Sequence, residues 1–97
     1  MFIQVIDFHT SRFDEGKSAV DEYRSSTKGR RTAKRGILTK DRDEDNHYVN
    51  IVFFDSFEEA MKNSEMPETQ KLAQTLAGLS DGETRFLNLE VVMDEQD

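Results

Sequence analysis

Two stretches of the chain, FIQVIDFH at residues 2–9 and HYVNIVFFD at residues 47–55, alternate with the two-residue period of a β-strand yet are apolar on both faces. In the first, Phe2, Gln4, Ile6 and Phe8 fall on one side, and Ile3, Val5, Asp7 and His9 on the other. In the second, Tyr48, Asn50, Val52 and Phe54 oppose Val49, Ile51 and Phe53. Such strands belong in the interior of a sheet, because either face left in water would expose a continuous apolar surface. A chain of 97 residues has little other sequence with which to cover two faces.

The remaining segments supply cover for one of them. After the first strand, Thr10 or Ser11 is placed to cap a helix whose first turn carries Asp14 and Glu15. Its apolar stripe is Phe13, Ala19, Val20 and Tyr23, and it stops before Gly29. Residues 30–40, RRTAKRGILTK, read as a polar strand with room for a bulge at Gly36, and DRDEDN is the turn after it. Ser56 and Glu59 form a capping box opening a short helix to about Asn63. Ser64 can cap the junction that follows, and Pro67 starts a further helix with Leu72, Leu76 and Leu79 on one side. TRFLNLEVVM, residues 84–93, is the last strand, and 94–97 reads as a frayed acidic tail.

Strand, helix, strand, strand, broken helix, strand is the split βαβ order of an α+β ferredoxin-like βαββαβ sandwich: a four-stranded antiparallel sheet with its helices on one face. The whole of 1–97 reads as one domain. The economical cover for the other face is the same sheet of a second copy, so the sequence predicts a homodimer packed sheet to sheet.

Charge narrows the function classes. Residues 28–42 carry seven bases and one acid, a net +6, so the remainder of this −7 chain carries −13. The acidic remainder argues against a nucleic-acid partner. The basic run fits an edge strand guarded by lysine and arginine, an anion-attracting rim near a ligand, or a strip that pairs with a sister subunit. No segment is apolar enough for a membrane span, the start lacks the pattern of a signal peptide, and the cytoplasm is the expected compartment. With no cysteine and two histidines, thiolate chemistry and Cys-built metal centres are excluded. His47 beside Asp43, Glu44 and Asp45 lacks ordered ligand spacing, so neither a metal nor a cofactor is expected.

YVNIVFFDSFEEAMKNSEMPET, residues 48–69, is the most particular segment: an apolar strand ends in an aromatic pair, a serine opens a helix with EEA, and Asn-Ser leads to a proline-started helix. In this it resembles the antibiotic biosynthesis monooxygenases of the dimeric α/β-barrel superfamily, which share a similar strand, S-x-E-x-A turn and broken second helix. The resemblance implies paired ferredoxin-like subunits, each with a small-molecule cavity between sheet and helices. It also implies oxidation of an aromatic substrate that activates oxygen itself, without metal or flavin. The haem-degrading branch of the superfamily uses an Asn, a Trp and a His. This chain has no Trp, holds Asn63 at the comparable helical position and has no His beyond His47, so haem degradation by that route is not expected.

Chemistry of this kind needs a few polar groups in an apolar pocket. His9, Tyr48 and Asn50 are the candidate catalytic residues, His9 because an imidazole is the side-chain type suited to proton transfer near neutrality. Gln4, Phe54, Asn63, Phe86 and Asn88 are candidate pocket-lining residues, with Glu90 on the same strand side as Phe86 and Asn88. Equally, the polar set can satisfy itself inside a packed barrel, which makes the protein a non-catalytic binding or dimerisation module. Periodicity does not say which strand face meets the helices.

Overall fold

The computed structural model describes residues 1–96. Its elements are β1 (Phe2–His9), α1 (Phe13–Ser26), β2 (Arg35–Lys40), β3 (His47–Phe54), α2 (Phe57–Glu65), α3 (Pro67–Leu79) and β4 (Arg85–Glu90). The sheet is antiparallel in the order β2-β3-β1-β4, the ferredoxin-like arrangement expected. The two strands with two apolar faces, β1 and β3, are its centre. The strand β2 is an edge, where Arg35 and Lys40 discourage further pairing.

Register decides which residues share a face. Phe2 lies between Phe54 and Glu90, Gln4 between Val52 and Asn88, and Ile6 between Asn50 and Phe86, while Phe8 pairs with Tyr48. Leu38 and Lys40 extend the last two rows on β2. This mixed face is the one the helices cover. Phe57 of α2 meets Phe2 edge-on at 5.4 Å between ring centres, Ala60 joins Phe2 and Phe54 in the core, and Phe13 of α1 stacks on Tyr48 at 4.6 Å. The opposite face, with Ile3, Val5, Ile37, Val49, Ile51, Phe53, Leu87 and Leu89, has no helix over it; Leu87 and Leu89 are 41% and 44% exposed.

Several local expectations shift. Arg12, not Thr10 or Ser11, is the residue before α1, and it caps nothing through its side chain. Thr10 is instead buried, its hydroxyl donating to the Leu79 carbonyl at 2.7 Å while accepting from the Arg12 amide at 3.0 Å. That clasp ties the end of β1 to the end of α3. Thr10→Val keeps the shape but strands the carbonyl, so a loss of about 1–3 kcal/mol is expected in urea unfolding at fixed protein concentration.

Gly36 pairs with Val52 in an unbroken ladder, so there is no bulge, and β2 begins at Arg35 rather than residue 30. Arg30 is used elsewhere, bonding the Ser26 carbonyl and pairing with Glu68 of α3. Ser56 does cap α2, accepting from the Glu59 amide, and the helix runs two residues past Asn63. Ser64 is not the junction cap: its hydroxyl bonds back to Ala60, and Met66 precedes α3 with Pro67 in the first turn. The last strand ends at Glu90, leaving Val92 and Met93 exposed. Residues 94–96 are exposed without regular structure, and the final residue of the expected tail lies outside the described residues. Among the described residues no helix is long and apolar enough to cross a membrane.

Candidate functional site

Burial on the helix-facing side is concentrated at its two ends. At one end Phe2 and Phe54 are 4% and 3% exposed beneath Ala60 of α2. At the other, Tyr48 is buried among aromatic rings, stacked on Phe8 at 5.7 Å and on Phe13 at 4.6 Å. Between them Gln4, Ile6, Asn50 and Val52, at the centre of the sheet, are only half-buried. In a filled two-layer sandwich these central positions would be the driest in the molecule. Here α1 packs chiefly on α3 and α2 makes the close helix approach to β3, with Val52 packed against the Phe2–Phe54–Ala60 core, and the middle of the sheet forms a half-buried floor.

The floor carries amides. Gln4 donates to the Asn88 side-chain carbonyl at 3.4 Å across β1 and β4, and Asn50 sits one row along, between Ile6 and Leu38. An amide offers two N–H donors and an acceptor, so one mutual bond leaves capacity for a ligand. Two open clefts flank the Phe13–Tyr48 stack. One, about 350 Å³, is lined by Phe13, Leu38, Thr39, Lys40 and Tyr48. The other, about 390 Å³, runs from Tyr48 and Phe13 to Thr10, Asn46 and the first turn of α1. Both are of the size that takes a small molecule.

The structure brings Tyr48, Asn50, Gln4 and Asn88 to one face, with Phe86 at its β4 edge, 58% exposed. It does not bring His9 there. His9 alternates to the uncovered face, so the sheet separates its ring from Tyr48 and Asn50. Phe54 fills the packed end. Asn63 serves the helix layer: its carbonyl accepts from the Thr32 amide at 3.3 Å and its amide reaches the Tyr23 hydroxyl, itself 2.8 Å from Thr69.

His9 faces His47 across the β1–β3 ladder with rings stacked 4.5 Å apart. Both nitrogens of His47 meet carboxylates, Asp41 at Nδ1 (2.7 Å) and Asp7 at Nε2 (2.6 Å). Those bonds, Asp41 first and then Asp7, raise the imidazole above the usual histidine range against the opposing pull of burial. The same bond to His47 lowers the Asp41 carboxyl. Sequence reading set Asp7 beside His9 but missed Asp41 and the pairing of the histidines, which needs the β1–β3 register. It also missed Phe13 as the partner of Tyr48; the position of Phe13 in the first turn of α1 was the available signal.

No family model matches the sequence, and no curated protein does. Solved structures do. SnoaB, a cofactor-independent oxygenase from Streptomyces nogalater, superposes with a TM-score of 0.83 at 18% identity, over 99% of this chain and 97% of that one. A second SnoaB structure gives 0.74 at 22% identity, with 97% of each chain covered. The fold is that of the antibiotic biosynthesis monooxygenases. A Deinococcus radiodurans protein described in the same terms gives a TM-score of 0.81 at 11% identity, over 100% of this chain and 98% of that one. At such identities the monooxygenase-like likeness carries the architecture; the reaction must be argued from the site.

Proposed function

We propose that the protein is a homodimer, paired through its uncovered sheet faces, in which each subunit binds a small phenol-like aromatic molecule on the half-buried floor between Phe2 and Tyr48 and oxidises it with molecular oxygen. The observation that carries this reading is the half-buried, amide-bearing centre of the helix-facing side, flanked by packed aromatics and by the clefts beside the Phe13–Tyr48 stack. A flat ring fits against Ile6, Val52 and Leu38, with Asn50 and the Gln4–Asn88 pair placed for its oxygens. Lys40, beside Tyr48 at the cleft, favours the phenolate over the phenol by Coulombic attraction. The likeness to a cofactor-independent oxygenase supports the same class of chemistry.

In that chemistry the bound anion gives electrons to oxygen, and the peroxide formed at an activated methylene loses water to leave a carbonyl. The methylene and one O₂ become the ketone and one H₂O, with no further reductant. Asn50 contributes by donating to the oxyanion as charge develops, which is worth most where water is excluded. Tyr48 sets the end wall and offers its hydroxyl.

Oxygen uptake and product mass, measured with a panel of hydroxylated aromatics bearing such a methylene, test the reading. Turnover is expected in the unmodified protein, with kcat reduced roughly 10²–10³-fold in Asn50→Leu. Turnover unchanged in Asn50→Leu removes that residue's role. The floor carries amides and a phenol, while both histidines lie on the other face, and this favours a second reading in which the site binds without turnover. Saturable binding without oxygen uptake selects it, and no binding by any of the panel overturns both.

A further inference from the structure

The uncovered face carries a second constellation, independent of the aromatic floor. Asp7 and His9, two residues apart on β1, project to the same side, and His47 stands opposite His9 in the ladder. The turn between β2 and β3 returns Asp41 and Glu44 to the same place. That turn is shaped by Asp41, whose side chain accepts from the Asp43 amide at 2.9 Å, and closed by Asp41 N–H bonding the His47 carbonyl at 2.9 Å. Glu44 spans both rings, 2.9 Å from His9 Nε2 and 3.5 Å from His47 Nδ1. Three separate segments thus converge on two imidazoles.

We infer that Asp7, His9 and His47 form a binding site for a divalent transition-metal ion such as Zn²⁺, with Asp41 orienting His47 and Glu44 at hand as a fourth ligand. Ligand atoms of Asp7, His9 and His47 already lie within 4.8 Å of one another. A tetrahedral zinc site, with bonds near 2.0–2.1 Å, needs them about 3.4 Å apart, a closure that side-chain rotation supplies. Metal-bound histidines characteristically donate their other ring N–H to a carboxylate, which fixes the tautomer and aims the free nitrogen. Asp41 at His47 Nδ1 is such a partner, and it leaves Nε2 facing Asp7 and His9. Two imidazole nitrogens with carboxylate oxygens select zinc and its neighbours over magnesium or calcium, which prefer all-oxygen sites. The site is also built to need positive charge: three carboxylates surround two rings in a chain of net charge −7.

The test uses the full, tag-free chain, stripped with a chelator and titrated with Zn²⁺ against a chromophoric competitor. Co²⁺ serves as a spectroscopic probe of nitrogen coordination. One Zn²⁺ per chain with micromolar or tighter affinity is expected, together with visible d–d bands for Co²⁺. Asp41→Asn, which keeps the three ligands, is expected to weaken binding ~10–100-fold. His9→Ala should abolish stoichiometric binding; its ring is partly exposed in the single chain, so far-UV circular dichroism is expected to stay native. If His9→Ala does unfold, His9→Gln with the same titration replaces it. No saturable binding of Zn²⁺ or Co²⁺ at tens of micromolar, or binding that persists undiminished in both His9→Ala and His47→Ala, overturns the assignment and leaves His47 held by the two carboxylates alone.

Discussion

If the chain pairs through its uncovered sheet faces as proposed, Ile51→Glu is expected to leave it monomeric and still folded. Ile51 is at the middle of β3, between Val5 on β1 and Ile37 on β2, and so at the centre of the apolar face that no helix covers. In a single chain its side chain is only half-buried, and a carboxylate there can reach water. In a sheet-to-sheet dimer the same carboxylate would be buried against its symmetry mate without a partner, a cost of several kcal/mol, further raised by like-charge repulsion. Each 1.4 kcal/mol is about tenfold in dissociation constant, so self-association should weaken by roughly 10³-fold or more. Size-exclusion chromatography with light scattering over a concentration series measures it. Lys17→Glu, on the exposed side of α1, serves as the charge control and is expected to stay dimeric. An Ile51→Glu protein that remains dimeric would show that the copies pair through some other surface, or that this face is closed in another way.

The two apolar faces of residues 2–9 and 47–55 made the central strands, and hence the sheet order, legible before any coordinates. Alternation alone assigns residues to faces with certainty, because the side-chain period of a strand is two. It cannot say which face the helices take, since that depends on the handedness of the connections and on where α1 leaves His9. The separation of His9 from Tyr48 follows from parity within β1 and the register of β3, and so was partly available; its stacking on His47 was not. Helix ends were readable where a side chain caps its own helix, as Ser56 does. They were misread where a hydroxyl serves a distant carbonyl, as Thr10 does for Leu79, because such a bond is fixed by tertiary contact. The partial burial of Ile6 and Val52 at the centre of the sheet left no trace in the pattern, since both look like any core residues in sequence.

That partial burial can be tested by comparing two truncations on the same face. Phe2→Ala is expected to be severely destabilising: the ring is 4% exposed, packed edge-on to Phe57 at 5.4 Å and near Phe54 at 6.3 Å. Removing a buried phenylalanine costs about 3–5 kcal/mol in transfer and cavity terms. For a domain of this size that lowers the thermal midpoint by roughly 15–30 °C at fixed protein concentration. Ile6 lies four residues along the same side of β1, central in the sheet, where a filled sandwich would make it the costlier loss of the two. Its neighbours Asn50 and Phe86 leave it half-buried, so Ile6→Ala should cost only about 1–2 kcal/mol, because atoms already partly in water lose less on removal. Saturating ligand should then widen the gap between unmodified protein and Ile6→Ala while leaving the deficit of Phe2→Ala unchanged. Calorimetric unfolding of both variants, alone and with a bound aromatic, reads this directly. Equal costs for the two would mean that the centre is packed core, and the floor would lose its claim to be a binding site.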